Sequence, residues 1–239
     1  MMNIDEFIKS VSSLGINLTE EMLNRLSIYA EFLIEYNEHT NLTAIKDKDS
    51  IYLKHFYDSL TLVKSINLDN YESLVDVGTG AGFPGVVLKI VYPHLNVTLI
   101  DSNNKKIEFL KQLIKKLGLE HINALNVRSE EYALNNLDKF DIVTARAVTT
   151  LPALIELCLP LVKVNGYFIP LKGNIKEELK ISTDILKVLN GRVEEVIEFN
   201  LPKEESIRSL AKIIKIEETP SGYPRSYDKI KKSLKKYIK

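Results

Sequence analysis

Four glycines crowd into "DVGTGAGFPG" (76–85), directly after the apolar run "SLV". A bare backbone at a strand-to-helix turn lets a ligand approach closely and tolerates positive φ. Three readings compete for that turn. Gly80, Gly82 and Gly85 spell G-x-G-x-x-G, which suits a dinucleotide whose pyrophosphate sits on a helix N-terminus. Asp76 with Gly78, Gly80 and Gly82 spells D-x-G-x-G-x-G, which suits S-adenosylmethionine. The third reading is a tight turn with no ligand. Asp76 bears on the choice, because a carboxylate repels a pyrophosphate and attracts a sulfonium and an ammonium. Without a ligand it would pair with a backbone N–H of the turn.

Further along, "LID" (99–101) ends in Asp101. An acid about twenty residues past such a turn accepts hydrogen bonds from a ribose diol. Both ligands carry that ribose, so Asp101 supports a nucleoside without choosing between them. In "NVRSEEY" (126–132), Ser129 and Glu130 stand where an adenine amino group would be met. A serine N-cap followed by acids explains the same residues equally well. Arg146 and Lys172 close two successive strands. Cations there would bind RNA phosphate or the O6 edge of a guanine; the plainer reading is a salt bridge to rim acids, for instance Arg146 with Asp76. His55 and Asp58, three apart on a helix, read as local hydrogen bonding or packing. No His/Cys cluster has metal-ligand spacing. Cys158, the one cysteine, lies in an apolar stretch and reads as a buried, inert thiol.

The elements that must position these residues follow from periodicity. Residues 1–68 read as helices: Leu23, Leu26, Ala30 and Leu33 recur at helical spacing after an N-cap at Thr19, and 47–66 reads as a second amphipathic helix. From about residue 72, short apolar strands alternate with helices, Pro84 standing in the first turn of one and Gly118 ending another. Strict alternation means a parallel sheet with right-handed crossovers. "VEEVIEFNLP" and "SIRSLAKIIKI" follow each other with no helix between, which predicts an antiparallel hairpin at one edge. The expected fold is α/β and Rossmann-like: a seven-stranded, mostly parallel sheet with its last strand reversed, the class I methyltransferase topology. Dinucleotide folds normally use six parallel strands. The expected organisation is a helical cap (1–68), a S-adenosylmethionine-binding core (69–219) and a basic tail (220–239).

The 239 residues suffice for a full α/β core plus a small appendage. One cysteine fits a reducing compartment, and neither a leader nor a membrane span is legible, so a cytoplasmic protein is expected. Net charge is zero, yet residues 220–239 hold seven cations against Asp228 alone. The tail therefore carries +6 and the rest −6, so the zero total does not argue against an anionic partner.

Taken in order, "NLTAI" (41–45), "HFYDSL" (55–60), "DVGTGAGFPG" (76–85), "LIDS" (99–102), "TARAV" (144–148), "PLVKVNGYFIPLKG" (160–173) and "YPR" (223–225) resemble one family. It is the bacterial 16S (small-subunit) ribosomal RNA guanine-N7 methyltransferases, also called glucose-inhibited division protein B. The resemblance implies S-adenosylmethionine as methyl donor and ribosomal RNA or the small subunit as partner, with no membrane; a monomer is expected. It implies that Gly78 and Phe83 line the cofactor, with Ser129 and Glu130 flanking adenine. Arg146 would stand at the cofactor–substrate end of its strand, Lys172 on the same rim, and Arg225 near the RNA. The tail "SYDKIKKSLKKYIK" departs from the family pattern: it lacks Gly and Pro and adds lysines. Guanine N7 has no proton to lose, so no general base is expected, and Arg146 and Lys172 would position the substrate. Three alternatives stay open: a methyltransferase with another substrate, an NAD-dependent oxidoreductase, and an RNA-binding assembly protein with a dead pocket.

Overall fold

A computed structural model describes residues 2–234. Helices α1 (Ile4–Ser12) and α2 (Glu20–Thr40) come first. Asn3 and Glu6 form a reciprocal capping box on α1, and the Thr19 hydroxyl accepts from Met22 N–H on α2. The next helical segment, expected to be one amphipathic helix, is neither regular nor two-faced. It runs as α3 (Lys48–Ile51), a π-helical turn (Tyr52–Tyr57), α4 (Asp58–Leu60) and a 3-10 turn (Thr61–Lys64). From Ile51 to Leu62 every residue but Lys54 is buried.

The alternating region then gives β1 (Ser73–Val77), α5 (Gly85–Val91), β2 (Asn96–Asp101), α6 (Asn104–Leu117), β3 (Ile122–Asn126), α7 (Ser129–Ala133), β4 (Phe140–Arg146), α8 (Leu151–Cys158) and β5 (Val162–Lys172). Two short helices follow, α9 (Lys176–Ile181) and α10 (Thr183–Val188), broken at Ser182. β6 (Gly191–Asn200), β7 (Ile207–Lys215) and α11 (Tyr227–Leu234) complete the described chain. The sheet order is β3-β2-β1-β4-β5-β7-β6. β1 to β5 pair in parallel, and β7 lies antiparallel to both β5 and β6. The reversed strand of the seven is thus inserted between β5 and the edge strand β6. Gly118 ends α6 in the left-handed conformation, as its position suggested, whereas Pro84 is the N-cap of α5 rather than part of its first turn.

Side chains alternate across β1 and divide the interior in two. Leu74 belongs to an apolar cluster with α1, α2, the 48–64 segment, α5 and α6. Val75 and Val77 belong to a second cluster with α7, α8, α10 and Ile230 of α11. The N-terminal helices therefore share a continuous core with one face of the sheet. Phe32 of α2 stacks on Phe109 of α6 with ring centroids 5.4 Å apart. No described helix is long and apolar enough to cross a membrane.

Candidate active site

The glycine turn is held from below. Asp76 is fully buried on the α5 side of the sheet, and its Oδ2 accepts from Thr79 Oγ1 at 2.7 Å and from Gly85 N–H at 2.8 Å. Its Oδ1 has no partner among the described residues. Burial pushes this carboxyl up from 3.8 to about 6, against the pull of the two donors. Tyr29 of α2 donates to the carbonyl of Ala81 and stacks on Phe83, centroids 5.3 Å apart. A Cβ on Gly82, where φ is +102°, would meet Tyr29 Oη and Val86 Cγ2 at 2.7 Å; one on Gly85 would stand 2.4 Å from Leu99 Cδ2. The bare backbone at Gly82 and Gly85 thus serves packing within the protein.

Two cavities open where the C-terminal ends of the parallel strands meet, the usual ligand rim of such sheets. The first, about 290 Å³, is lined by Gly78, Asp101, Lys106, Arg128, Ser129, Glu130, Leu157 and Tyr227 among others. Asp101 is presented rigidly: its Oδ2 accepts from Gly80 N–H at 3.0 Å and its Oδ1 from Asn103 N–H at 2.9 Å. Lys106 Nζ lies 3.4 Å from Oδ2. A carboxylate offers about four lone-pair sites, so with three donors in place capacity remains for about one more, such as a ribose hydroxyl. Ser129 donates its hydroxyl to the Leu157 carbonyl at 2.6 Å, and the residue at the N-cap of α7 is Arg128.

The second cavity, about 340 Å³, is lined by His55, Asp58, Arg146, Ala147, Leu171, Lys172, Gly173 and Arg208. Ala147 lines both cavities and has φ +54°, a left-handed turn at the end of β4. Arg146 does not pair with Asp76. Its Nη1 donates to Asp58 Oδ2 at 3.0 Å and to the Lys54 carbonyl at 3.1 Å, and its Nη2 donates to His55 Nδ1 at 3.1 Å. Because arginine only donates, Nδ1 must be the acceptor and Nε2 carries the proton, which goes to Thr43 Oγ1 at 2.9 Å. Burial, with the nearby Arg146 charge, pushes the imidazole down to about 3, so it is neutral. Its ring stacks on Phe83 with centroids 4.3 Å apart. Arg208 Nε lies 3.4 Å from Asp58 Oδ1, so one carboxylate faces two guanidiniums. Lys172 donates to the Thr149 carbonyl at 2.8 Å and pairs with Glu178 at 2.9 Å.

The structure gathers Gly78, Asp101, Ser129 and Glu130 around the first cavity, and Arg146 and Lys172 around the second. It leaves Asp76, Gly80, Gly82 and Phe83 outside both, where they brace the turn. Arg225 makes its described contacts within the protein. Expected near RNA, it turns inward onto Glu156 of α8, with Nε to Oε1 and Nη2 to Oε2 both at 2.6 Å. Glu156 is 1% exposed, and a buried carboxylate holds a guanidinium that can reach it bidentately. His55 and Asp58, read as local hydrogen bonding or packing, are buried and hydrogen-bonded and also reach the cavity. Arg208 gave no signal of its own: only the antiparallel course of β7 brings its start to the rim, where Ser209 pairs with Lys172. Tyr227 went unnoticed within the lysine-rich tail. Lys235, Lys236 and Lys239 lie outside the described residues. Among the described residues no group of His, Cys, Asp and Glu could hold a metal ion.

Comparison with known proteins agrees with this architecture. Residues 22–208 match the family described as rRNA small subunit methyltransferase G. The chain is 47% identical over 229 residues to the ribosomal RNA small subunit methyltransferase G of Lachnoclostridium phytofermentans, with 95% of each chain covered. The protein of that name from Bacillus velezensis is 47% identical over 227 residues, 94% of this chain and 95% of its own. Among solved structures, a SAM-dependent methyltransferase from Aquifex aeolicus aligns with a TM-score of 0.50 at 21% identity, covering 73% of this chain and 97% of that one. That last likeness is one of fold.

Proposed function

The chain belongs to the rRNA small subunit methyltransferase G family, and on that premise we propose that it transfers the methyl group of S-adenosylmethionine to N7 of a guanine in small-subunit ribosomal RNA. The observation that carries this reading is the pair of cavities meeting at Ala147, one with a rigid carboxylate and the other with three cations. The first cavity fits the donor. Gly78 lines it with φ +67°, and a Cβ there would press on Val148 Cγ2 of the same wall at 2.6 Å, so the bare backbone keeps this lining in place. Asp101 stands ready for ribose, while Val127 and Leu157 offer apolar wall to a base. When bound, S-adenosylmethionine supplies an electrophilic methyl group on a cationic sulfur.

The second cavity suits a nucleophile that needs no deprotonation. Guanine N7 presents an in-plane lone pair and no proton, so the protein's work is alignment. Neither ring nitrogen of His55 is free, and the Asp58 carboxylate is committed to Arg146 and Arg208. The cavity thus offers cations for guanine O6 and backbone phosphate, and no spare base. The deep, narrow major groove of A-form RNA hides N7 from side chains. The target base therefore comes from a loop or is extruded into the cavity.

The test is incubation of the protein and isotopically labelled donor with small-subunit RNA from cells lacking it. The expected product is 7-methylguanine at one position. Label on another nucleotide or atom, or none on RNA alongside transfer to protein, contradicts the proposal.

A further inference from the structure

We propose that Tyr227 is a cofactor-binding residue, an aromatic wall that the C-terminal helix supplies to the adenine end of the first cavity. This rests on the reading of that cavity as the donor site. Tyr227 is half-buried and lines the cavity beside the loop after β3, with the Arg128 guanidinium 5.9 Å from its ring centroid. Lys231 Nζ lies 5.0 Å from the same centroid.

Two anchors hold the segment, one on each side of Tyr227. Before it, Arg225 makes its bidentate pair with the buried Glu156, and its backbone N–H adds a 3.1 Å bond to the same carboxylate. After it, Ile230 is 1% exposed within the apolar cluster that contains α8. Arg225 also donates to Ser233 Oγ at 3.3 Å, which ties the start of the segment to the last turn of α11. Chain fixed at both ends of a single turn holds the ring in place before any ligand arrives, so little ordering is left for binding to do.

The remaining wall at this end is aliphatic, from Val127 and Leu157. A nucleobase prefers a flat π-face, and Tyr227 is the aromatic side chain that the cavity lining provides. It lies beyond residues 22–208, the span that the family model matches. The chemical class recognised is the adenine of an adenosyl thioether or sulfonium.

The chain has no tryptophan, so Tyr227→Trp places a single indole at this position. S-Adenosylhomocysteine, the unreactive product, is titrated into the full chain by calorimetry and by indole emission. The expected result is an emission change that saturates with the calorimetric Kd. Tyr227→Ala is expected to bind about tenfold more weakly, as loss of one base–aromatic stack would give, while Tyr227→Phe keeps the affinity. Unchanged emission while heat still reports binding, or Tyr227→Ala binding like the unaltered chain, overturns the proposal and leaves the donor site standing. No binding by the unaltered chain overturns both.

Discussion

The guanidinium of Arg146 meets three groups from the 48–64 segment, Lys54 O, His55 Nδ1 and Asp58 Oδ2, while Thr43 fixes the imidazole from its far side. Each buried hydrogen bond to a charged group contributes about 1.5–3 kcal/mol. Loss of one that aims an arginine of the proposed RNA cavity should appear in RNA use. His55→Ala is expected to lower kcat/KM for RNA by about 10- to 100-fold, with donor affinity unchanged. His55→Gln, which can still accept from Arg146 and donate to Thr43, should recover part of the loss. Equal damage by both substitutions would contradict the assignment. Asp76 makes a separate prediction. Its folded value, about 6, lies above the ordinary 3.8, so its favourable contribution is complete below about pH 3.8 and is lost as pH rises through 6. That difference corresponds to roughly 3 kcal/mol. Urea unfolding at pH 4 and pH 7 should show Asp76→Asn gaining on the unaltered protein at the higher pH; a constant gap would refute it. At this scale the sequence showed which types of residue matter but not their partners. Asp76 was legible as belonging to the turn, yet its orientation, behind the glycines and away from the cavity, is set by which face of β1 it occupies.

The strands and their crossovers were legible because strands buried on both faces read as short apolar runs, and alternation with helices leaves few topologies. The 48–64 segment was not legible in the same way. Its apolar spacing imitates an amphipathic helix, but the π-helical turn at Tyr52–Tyr57 widens the path, and the segment is enclosed by α1, α2 and α5. The glycine turn depends on close contact between elements. Gly85→Ala would place a methyl group 2.4 Å from Leu99 and 2.9 Å from Asp76 Oδ2. Overpacking of this kind costs about 1–3 kcal/mol. Thermal unfolding should register that loss, and the displaced turn should weaken donor binding; unchanged Tm and affinity would show that the contact is relaxed at no cost. The tail gives the other prediction at this scale. Arg225→Ala leaves Glu156 buried without its partner, which costs about 3–5 kcal/mol in a fully buried pair and less here, where Arg225 is 31% exposed. A fall in Tm without any change in the salt dependence of RNA binding is expected. A changed salt dependence with unchanged Tm would restore Arg225 to the RNA surface.

Across the whole molecule, a net charge of zero conceals a rim where Arg146, Lys172 and Arg208 converge against Asp58 and Glu178. None of this asymmetry is visible in composition, because it arises when a reversed strand carries its first residues to the ends of parallel ones. A phosphate partner there would release counterions, so RNA affinity should fall steeply with salt, and Arg208→Gln should reduce the slope by about one. The proposed function divides the work between two cavities that meet at Ala147. The measurement that tests it most directly is separate titration of S-adenosylhomocysteine and of small-subunit RNA into Asp101→Asn and Arg208→Gln. The first variant is expected to lose about tenfold or more in nucleoside affinity and keep its RNA affinity, and the second to do the reverse. If either variant retains both affinities, or if both variants lose both together while remaining folded, the two-cavity account is contradicted.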